Sequence, residues 1–203
     1  MKKLSKRQRE VLEEIATSDI LSNFYLAGGT ALTIRYNHRF SQDFDFFSFP
    51  KKRINFLHLS SLLSPKTIIE QDRRTLIIIY KEVKLSFFEY RYPLLSFPEH
   101  LKDFNIHIAS DEDIAAMKAI AIMQRGEKKD FFDLWYLMKH RRWNLKDIIH
   151  FCKTKYSDSF NEYILLKSLI FFEDAETSKI SEIDIYWKEV KDFFKRMVKN
   201  FVR

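Results

Sequence analysis

The chain has 203 residues, enough for one ordinary domain or two small ones, and its 46% hydrophobic and 16% aromatic content exclude an intrinsically disordered protein. A single cysteine, Cys152, rules out an internal disulfide and fits a reducing compartment. No apolar run approaches the ~20 residues of a membrane span, and Met1 to Glu10 lacks a signal segment, so a cytoplasmic protein with no membrane partner is expected. The net charge of +7, from 35 Lys and Arg against 28 Asp and Glu, favours a polyanionic partner such as RNA without establishing one.

The first element is an amphipathic helix from about Lys6 to Ile20, opened by a Ser5-to-Gln8 capping box and carrying Val11, Leu12 and Ile15 at helical spacing. Next comes the apolar run Phe24-Tyr25-Leu26-Ala27, which ends in Gly28-Gly29-Thr30 and leads into a second helix. The chain has only three glycines, and two of them are here. Without a Cβ they can adopt positive φ and let a phosphate approach the main chain, where the free N–H groups and dipole of a following helix add to an anion site. In Asp43-Phe44-Asp45-Phe46-Phe47, strand periodicity sets both carboxylates on one face and Phe44 and Phe46 on the other. Adjacent carboxylates repel, and a cation held with substrate phosphates relieves that repulsion; Mg²⁺ suits such a donor set.

After Pro50 a helix over 54–63 is expected, stopped by Ser64-Pro65. The β-rich runs 67–69, 75–80 and 83–90, joined by short links, predict an antiparallel meander and a small mixed sheet of about five strands. The segment from Tyr92 to Ile108, with prolines at 93 and 98, reads as a connector, dividing the chain into domains 1–108 and 109–203.

Helical periodicity takes over at Ser110. A helix with Ile114, Met117, Ala121 and Ile122 on its apolar face places Lys118 and Arg125 on a common face, where both can reach one anionic group. Gly126 interrupts, and a helix starting at Lys128 carries Asp130 and Asp133 as i, i+3 neighbours. The remainder predicts three or so packed helices with a polar break at 173–178 and a core from Phe160, Tyr163, Leu166, Ile170, Trp187, Val190, Phe194 and Met197. The fold class is therefore α+β: a small mixed sheet with flanking helices, then a C-terminal helical bundle.

Gly28-Gly29-Thr30-Ala31-Leu32 followed by His38-Arg39-Phe40-Ser41-Gln42-Asp43-Phe44-Asp45-Phe46-Phe47 resembles the signature of AbiEii/AbiGii-type nucleotidyltransferases, the toxins of type IV toxin–antitoxin systems within the DNA-polymerase-β-like superfamily. Lys118 and the later Lys129-Asp130-Phe131-Phe132-Asp133 are similar to the family's downstream motifs. The resemblance implies a nucleotidyltransferase fold and transfer of NMP from an NTP to an acceptor. Gly28, Gly29 and Thr30 would cradle the phosphates, and Asp43 and Asp45 would hold Mg²⁺ or Mn²⁺. Lys118 and Arg39 would balance triphosphate charge, and Ser41 would bind a phosphate or orient Asp43. Asp130 would act as general base or hold Lys118, from the helical domain across a cleft. The implied acceptor is RNA such as a tRNA 3′ end, and the implied partner is a cognate antitoxin. Superfamily members carry a third carboxylate on a later strand; here alignment points to Ser86 and local pattern to Glu89, and strand parity keeps both from facing one site.

Two other readings stay open: a catalytically inactive nucleotide- or RNA-binding module of the same fold, and a purely structural interaction protein. The six histidines show no zinc spacing, and no P-loop or Gly-x-Ser-x-Gly motif is present.

Overall fold

The Ser5 hydroxyl accepts the Gln8 amide and the Gln8 side chain returns the bond to the Ser5 amide, so α1 (Lys6–Thr17) starts on a capping box. It ends before Ile20, because Ser18 turns extended and its hydroxyl donates to the Ile15 carbonyl; a 3₁₀ turn, Asp19–Asn23, then leads into the sheet. The structure is a computed structural model that describes residues 4–202, and it divides into two compact units between Ser110 and Asp111. The division falls two residues past Ile108, since the Ala109 amide still donates to the Leu26 carbonyl of the sheet.

The first unit is built on seven strands: β1 (Phe24–Ala27), β2 (Phe44–Ser48), β3 (Thr67–Gln71), β4 (Thr75–Tyr80), β5 (Val83–Phe88), β6 (Glu99–Leu101) and β7 (Ile106–Ile108). Their order is β3-β4-β5-β2-β1-β7-β6. The expected meander is β3-β4-β5, and β5 then lies parallel to β2. Two strands more than expected come from the segment read as a connector. There a 3₁₀ turn at Lys102–Phe104, closed by Asn105 in the left-handed region, joins β6 to β7, and β7 pairs in parallel with β1. Pro98 is compatible with this because β6 is an outer strand with one unpaired edge.

Alternation along the strands divides the sheet. Phe44, Phe46, Leu85 and Phe87 are fully buried on one face, with Phe46 stacked 5.2 Å from Phe87, and α1 packs against β5 with Val11, Leu12 and Ile15 buried. Between the strands run α2 (Gly28–Tyr36), which directly continues β1, and α3 (Phe56–Leu63), capped by Asn55.

The second unit is helical: α4 (Asp111–Gln124), α5 (Lys128–Arg141), α6 (Leu145–Tyr156), α7 (Glu162–Ser168), α8 (Glu173–Glu176), α9 (Ser181–Asp184) and α10 (Trp187–Val202). Trp187, Val190 and Phe194 are buried as expected, whereas Tyr163 and Ile170 are exposed. The short α7 turns Leu165 and Leu169 inward instead. Glu173–Ser178 is not a simple break, because α8 forms inside it. An ion pair of 2.6 Å between Lys155 and Asp113, both fully buried, joins α6 to α4. Among the described residues no helix is long and apolar enough to cross a membrane.

Candidate active site

β1 and β2 pair antiparallel with Ala27 opposite Asp45, which brings the end of β1 beside the acidic strand. Gly28, the first residue of α2, sits at φ +73°, and a Cβ there would come within 2.9 Å of Asp45 Oδ2. The Asp45 carboxylate thus lies directly against the glycine main chain, at the positive end of α2, where its charge is favoured. Gly29 is required for a different reason: a Cβ on it would meet the Arg39 guanidinium at 2.3 Å and Ser41 Oγ at 3.1 Å. The first glycine opens a place for a carboxylate, the second for a cation.

The loop from Asn37 to Asp43 is fastened from three sides. Thr30 shares a hydrogen bond of 2.8 Å with the Ser41 hydroxyl and donates to the Asp43 carbonyl. The Thr33 hydroxyl lies between the carbonyls of Gly29, at 3.0 Å, and Arg39, at 2.9 Å. Gln8 donates from α1 to the carbonyls of Ser41 at 2.8 Å and Gln42 at 3.0 Å. Arg39 is buried and donates to the Phe40 carbonyl. Thr30 and Ser41 therefore act on one another and on the Asp43 main chain, which fixes how that carboxylate is presented.

Asp45 lies on the face of β2 opposite Phe44 and Phe46, and Asp43 directly precedes the strand. Asp43 is 40% exposed and its nearest cation, Lys84 on β5, stands at 3.8 Å, a loose pairing that sequence reasoning missed. Across the β2–β5 ladder Asp45 is in register with Ser86, which is buried. Glu89 lies one residue beyond β5, where its carboxylate accepts the Ile54 amide and pairs with Arg91. The register thus puts a hydroxyl beside Asp45 and sends Glu89 to anchor the 54–56 segment. Among the described residues no group of three or more His, Cys, Asp or Glu is gathered to hold a metal. Asp43 and Asp45 fit a hard divalent cation that takes two protein carboxylates and draws its remaining oxygens from phosphate and water.

In the second unit Lys118 bonds to Asp130 at 2.8 Å and to Asp133 at 2.7 Å, with both carboxylates fully buried. Arg125 closes on Asp130 from the other side, with its Nε at 2.8 Å and a second nitrogen at 3.1 Å. Burial alone would raise the Asp130 carboxyl, but Lys118 and Arg125 outweigh it and hold it below the ordinary carboxylate value. The i, i+3 spacing of Asp130 and Asp133 foretold a shared face; that both grip Lys118 is a tertiary fact about two helices.

The chain is a nucleotidyltransferase, and the frame it uses is a mixed sheet whose first strand turns on two glycines into a helix beside an acidic strand. The model of the nucleotidyl transferase AbiEii toxin family, type IV toxin–antitoxin system, matches residues 10–63 and 74–201, and the chain belongs to that family. A protein of Aquifex aeolicus (strain VF5), described as uncharacterised, is 51% identical over all of this chain and 99% of its own length. Among solved structures, JHP933 from Helicobacter pylori is 20% identical over 98% of this chain and 97% of that one, with a TM-score of 0.47. The Megavirus polyadenylate synthase is 16% identical over 66% of this chain and 32% of its own, also with a TM-score of 0.47.

Proposed function

We propose that this nucleotidyltransferase moves a nucleoside monophosphate from an NTP to a hydroxyl of an RNA acceptor, such as a tRNA 3′ end, in the cytoplasm. It acts there as a toxin restrained by a cognate antitoxin. The observation that carries the reading is the Asp45 carboxylate lying against Gly28 at φ +73° where α2 begins. One small volume thereby offers main-chain N–H groups for phosphate and carboxylates for a cation.

Asp43 and Asp45 would hold Mg²⁺, with Mn²⁺ as the alternative; bound there, the ion would neutralise phosphate charge and make the acceptor hydroxyl easier to deprotonate. Gly28, Gly29 and Thr30 present the start of α2 to the triphosphate, and Arg39 adds positive charge behind Gly29. Ser41 orients Asp43 through Thr30. The acceptor oxygen forms a bond to the α-phosphorus, the bond from that phosphorus to the β-phosphate bridge breaks, and pyrophosphate leaves. Asp130 holds Lys118 instead of serving as base, since both its oxygens accept from cations and its depressed pKa makes it a weak proton acceptor near neutrality.

Incubation of the protein with each labelled NTP, Mg²⁺ and total RNA tests this reading. Covalent label on RNA is expected for at least one NTP, and no label on any RNA with all four NTPs contradicts it. Ser86, in register with Asp45, is the observation that favours the second reading, an inactive module that binds nucleotide without chemistry. Tight NTP binding without transfer to any acceptor would select it.

A further inference from the structure

At the end of β2 away from Asp43, the chain turns through Phe49 and Pro50 into Lys51, Lys52 and Arg53, three consecutive exposed cations. The turn is closed by the Lys52 amide donating to the Phe49 carbonyl at 3.1 Å, with Lys51 at φ 66°. Arg53 also lines a groove of about 740 Å³ with Asn55, Leu57, Gln71, Arg73 and Asp72, whose carboxylate accepts the Arg74 amide at 2.6 Å. Among the described residues, Lys51, Lys52, Arg53 and Arg73 form no ion pair with a carboxylate. Cations elsewhere in the same unit do: Arg35 with Glu99, Lys81 with Glu14 and Arg91 with Glu89.

The same turn carries an aromatic pair, since Phe49 stands two residues before Lys51. Phe97 is 79% exposed and stacks on Phe49, with centroids 6.4 Å apart and planes at 25°. Leu57, in the wall of the groove, is also largely exposed. Uncompensated cations beside an outward-facing ring are the two parts of a single-strand nucleic-acid surface: charges that follow the phosphates, and a flat face on which an unpaired base stacks. A membrane would call for a broader apolar face, and a purely acidic peptide leaves the Phe97 ring without a partner.

We infer that Lys51, Lys52, Arg53 and Arg73, together with Phe97, form a docking surface for unpaired RNA, separate from the carboxylates that do the chemistry. That the docked strand is the acceptor of the transfer rests on the function proposed above. At roughly 3.3 Å per residue, Lys51 lies on the order of 20 Å along the chain from Asp45, so this surface grips the strand several nucleotides back from its reacting end.

The test is fluorescence anisotropy of a labelled, unstructured RNA of about twelve nucleotides, without NTP. It compares the wild type with a Lys51→Gln/Lys52→Gln/Arg53→Gln variant, with Phe97→Ala, and with Asp43→Asn/Asp45→Asn. All the altered surface residues are exposed, and matching melting curves establish that each variant folds. The triple variant is expected to lose about tenfold or more in affinity, and its salt dependence to flatten by about 0.7 log units per phosphate contact removed. Phe97→Ala is expected to lose about tenfold, and the carboxylate variant to bind as the wild type does. Equal binding by the wild type and both surface variants overturns the inference, as does a wild type that binds no RNA. The first of those is also the result if the surface serves a protein partner. RNA bound through this surface with no nucleotide transferred would sink the transferase reading and leave this one standing.

Discussion

The two charged clusters follow opposite designs. In the first unit Asp43 is well exposed, its nearest cation stands 3.8 Å away, and Asp45 rests on a glycine main chain. Hydroxyl and amide bonds from Thr30, Thr33 and Gln8 hold the surrounding loop, so Asp43 is positioned through its main chain while its carboxylate keeps only a loose cation neighbour. In the second unit Asp130 and Asp133 are fully buried and bonded to Lys118 at 2.7–2.8 Å. Asp43 still has charge to offer a ligand, while Asp130 and Asp133 spend theirs on Lys118. Removing a charge should therefore cost chemistry in one place and folding in the other.

The largest structural effect should come from Lys118→Met. It leaves two buried carboxylates without their shared ammonium, and a loss of about 3–5 kcal/mol in urea unfolding is expected. A change below about 1 kcal/mol would erase the distinction between the clusters. Gly29→Ala comes next, since a Cβ 2.3 Å from the Arg39 guanidinium forces that buried side chain to move. A cost of about 1–3 kcal/mol is expected, with transfer falling alongside. Gly28→Ala adds a strained φ of +73° to a 2.9 Å approach to Asp45, and should cost about 1–2 kcal/mol.

A smaller and pH-dependent effect should separate wild type from Asp130→Asn. The folded-state pKa of Asp130 is depressed, so its stabilisation is present above the unfolded carboxylate value of about 3.9 and is lost as pH falls through the folded value. The gap between the two unfolding midpoints should be widest near pH 7 and close below about pH 4; a gap that widens on acidification would reverse the assigned sign. Cys152 should show the smallest effect of all. Burial pushes its thiol up to about 12, so iodoacetamide at pH 8 should label it only after unfolding, and rapid native labelling would contradict its placement.

Legibility followed the range of the interaction. Gly28 could be read because positive φ is a local rule, and Asp45 between the buried Phe44 and Phe46 because strand alternation is another; Gly29 takes no positive φ, and what excludes a side chain there is Arg39, ten residues on. β6 and β7 could not be read, since three residues each carry no periodicity and β7 exists through pairing with β1, about eighty residues earlier in the chain. The choice between Ser86 and Glu89 was a question of register, and register comes from the neighbouring strand. Asp133 was visible as a neighbour of Asp130, yet its bond to Lys118 depends on how α5 lies against α4. Tyr163 was misread because a seven-residue helix has too few turns for periodicity to choose between adjacent faces, and Ile170 because the helix ends at Ser168, before reaching it.

The most direct test of the central claim is the rate of label transfer from NTP to RNA by Asp45→Asn, measured beside its melting temperature. The substitution keeps shape and removes charge. Transfer should drop about 10²–10³-fold while the melting temperature stays within about 2 °C of wild type. Undiminished transfer by this variant would show that the carboxylate beside Gly28 is not part of the chemistry.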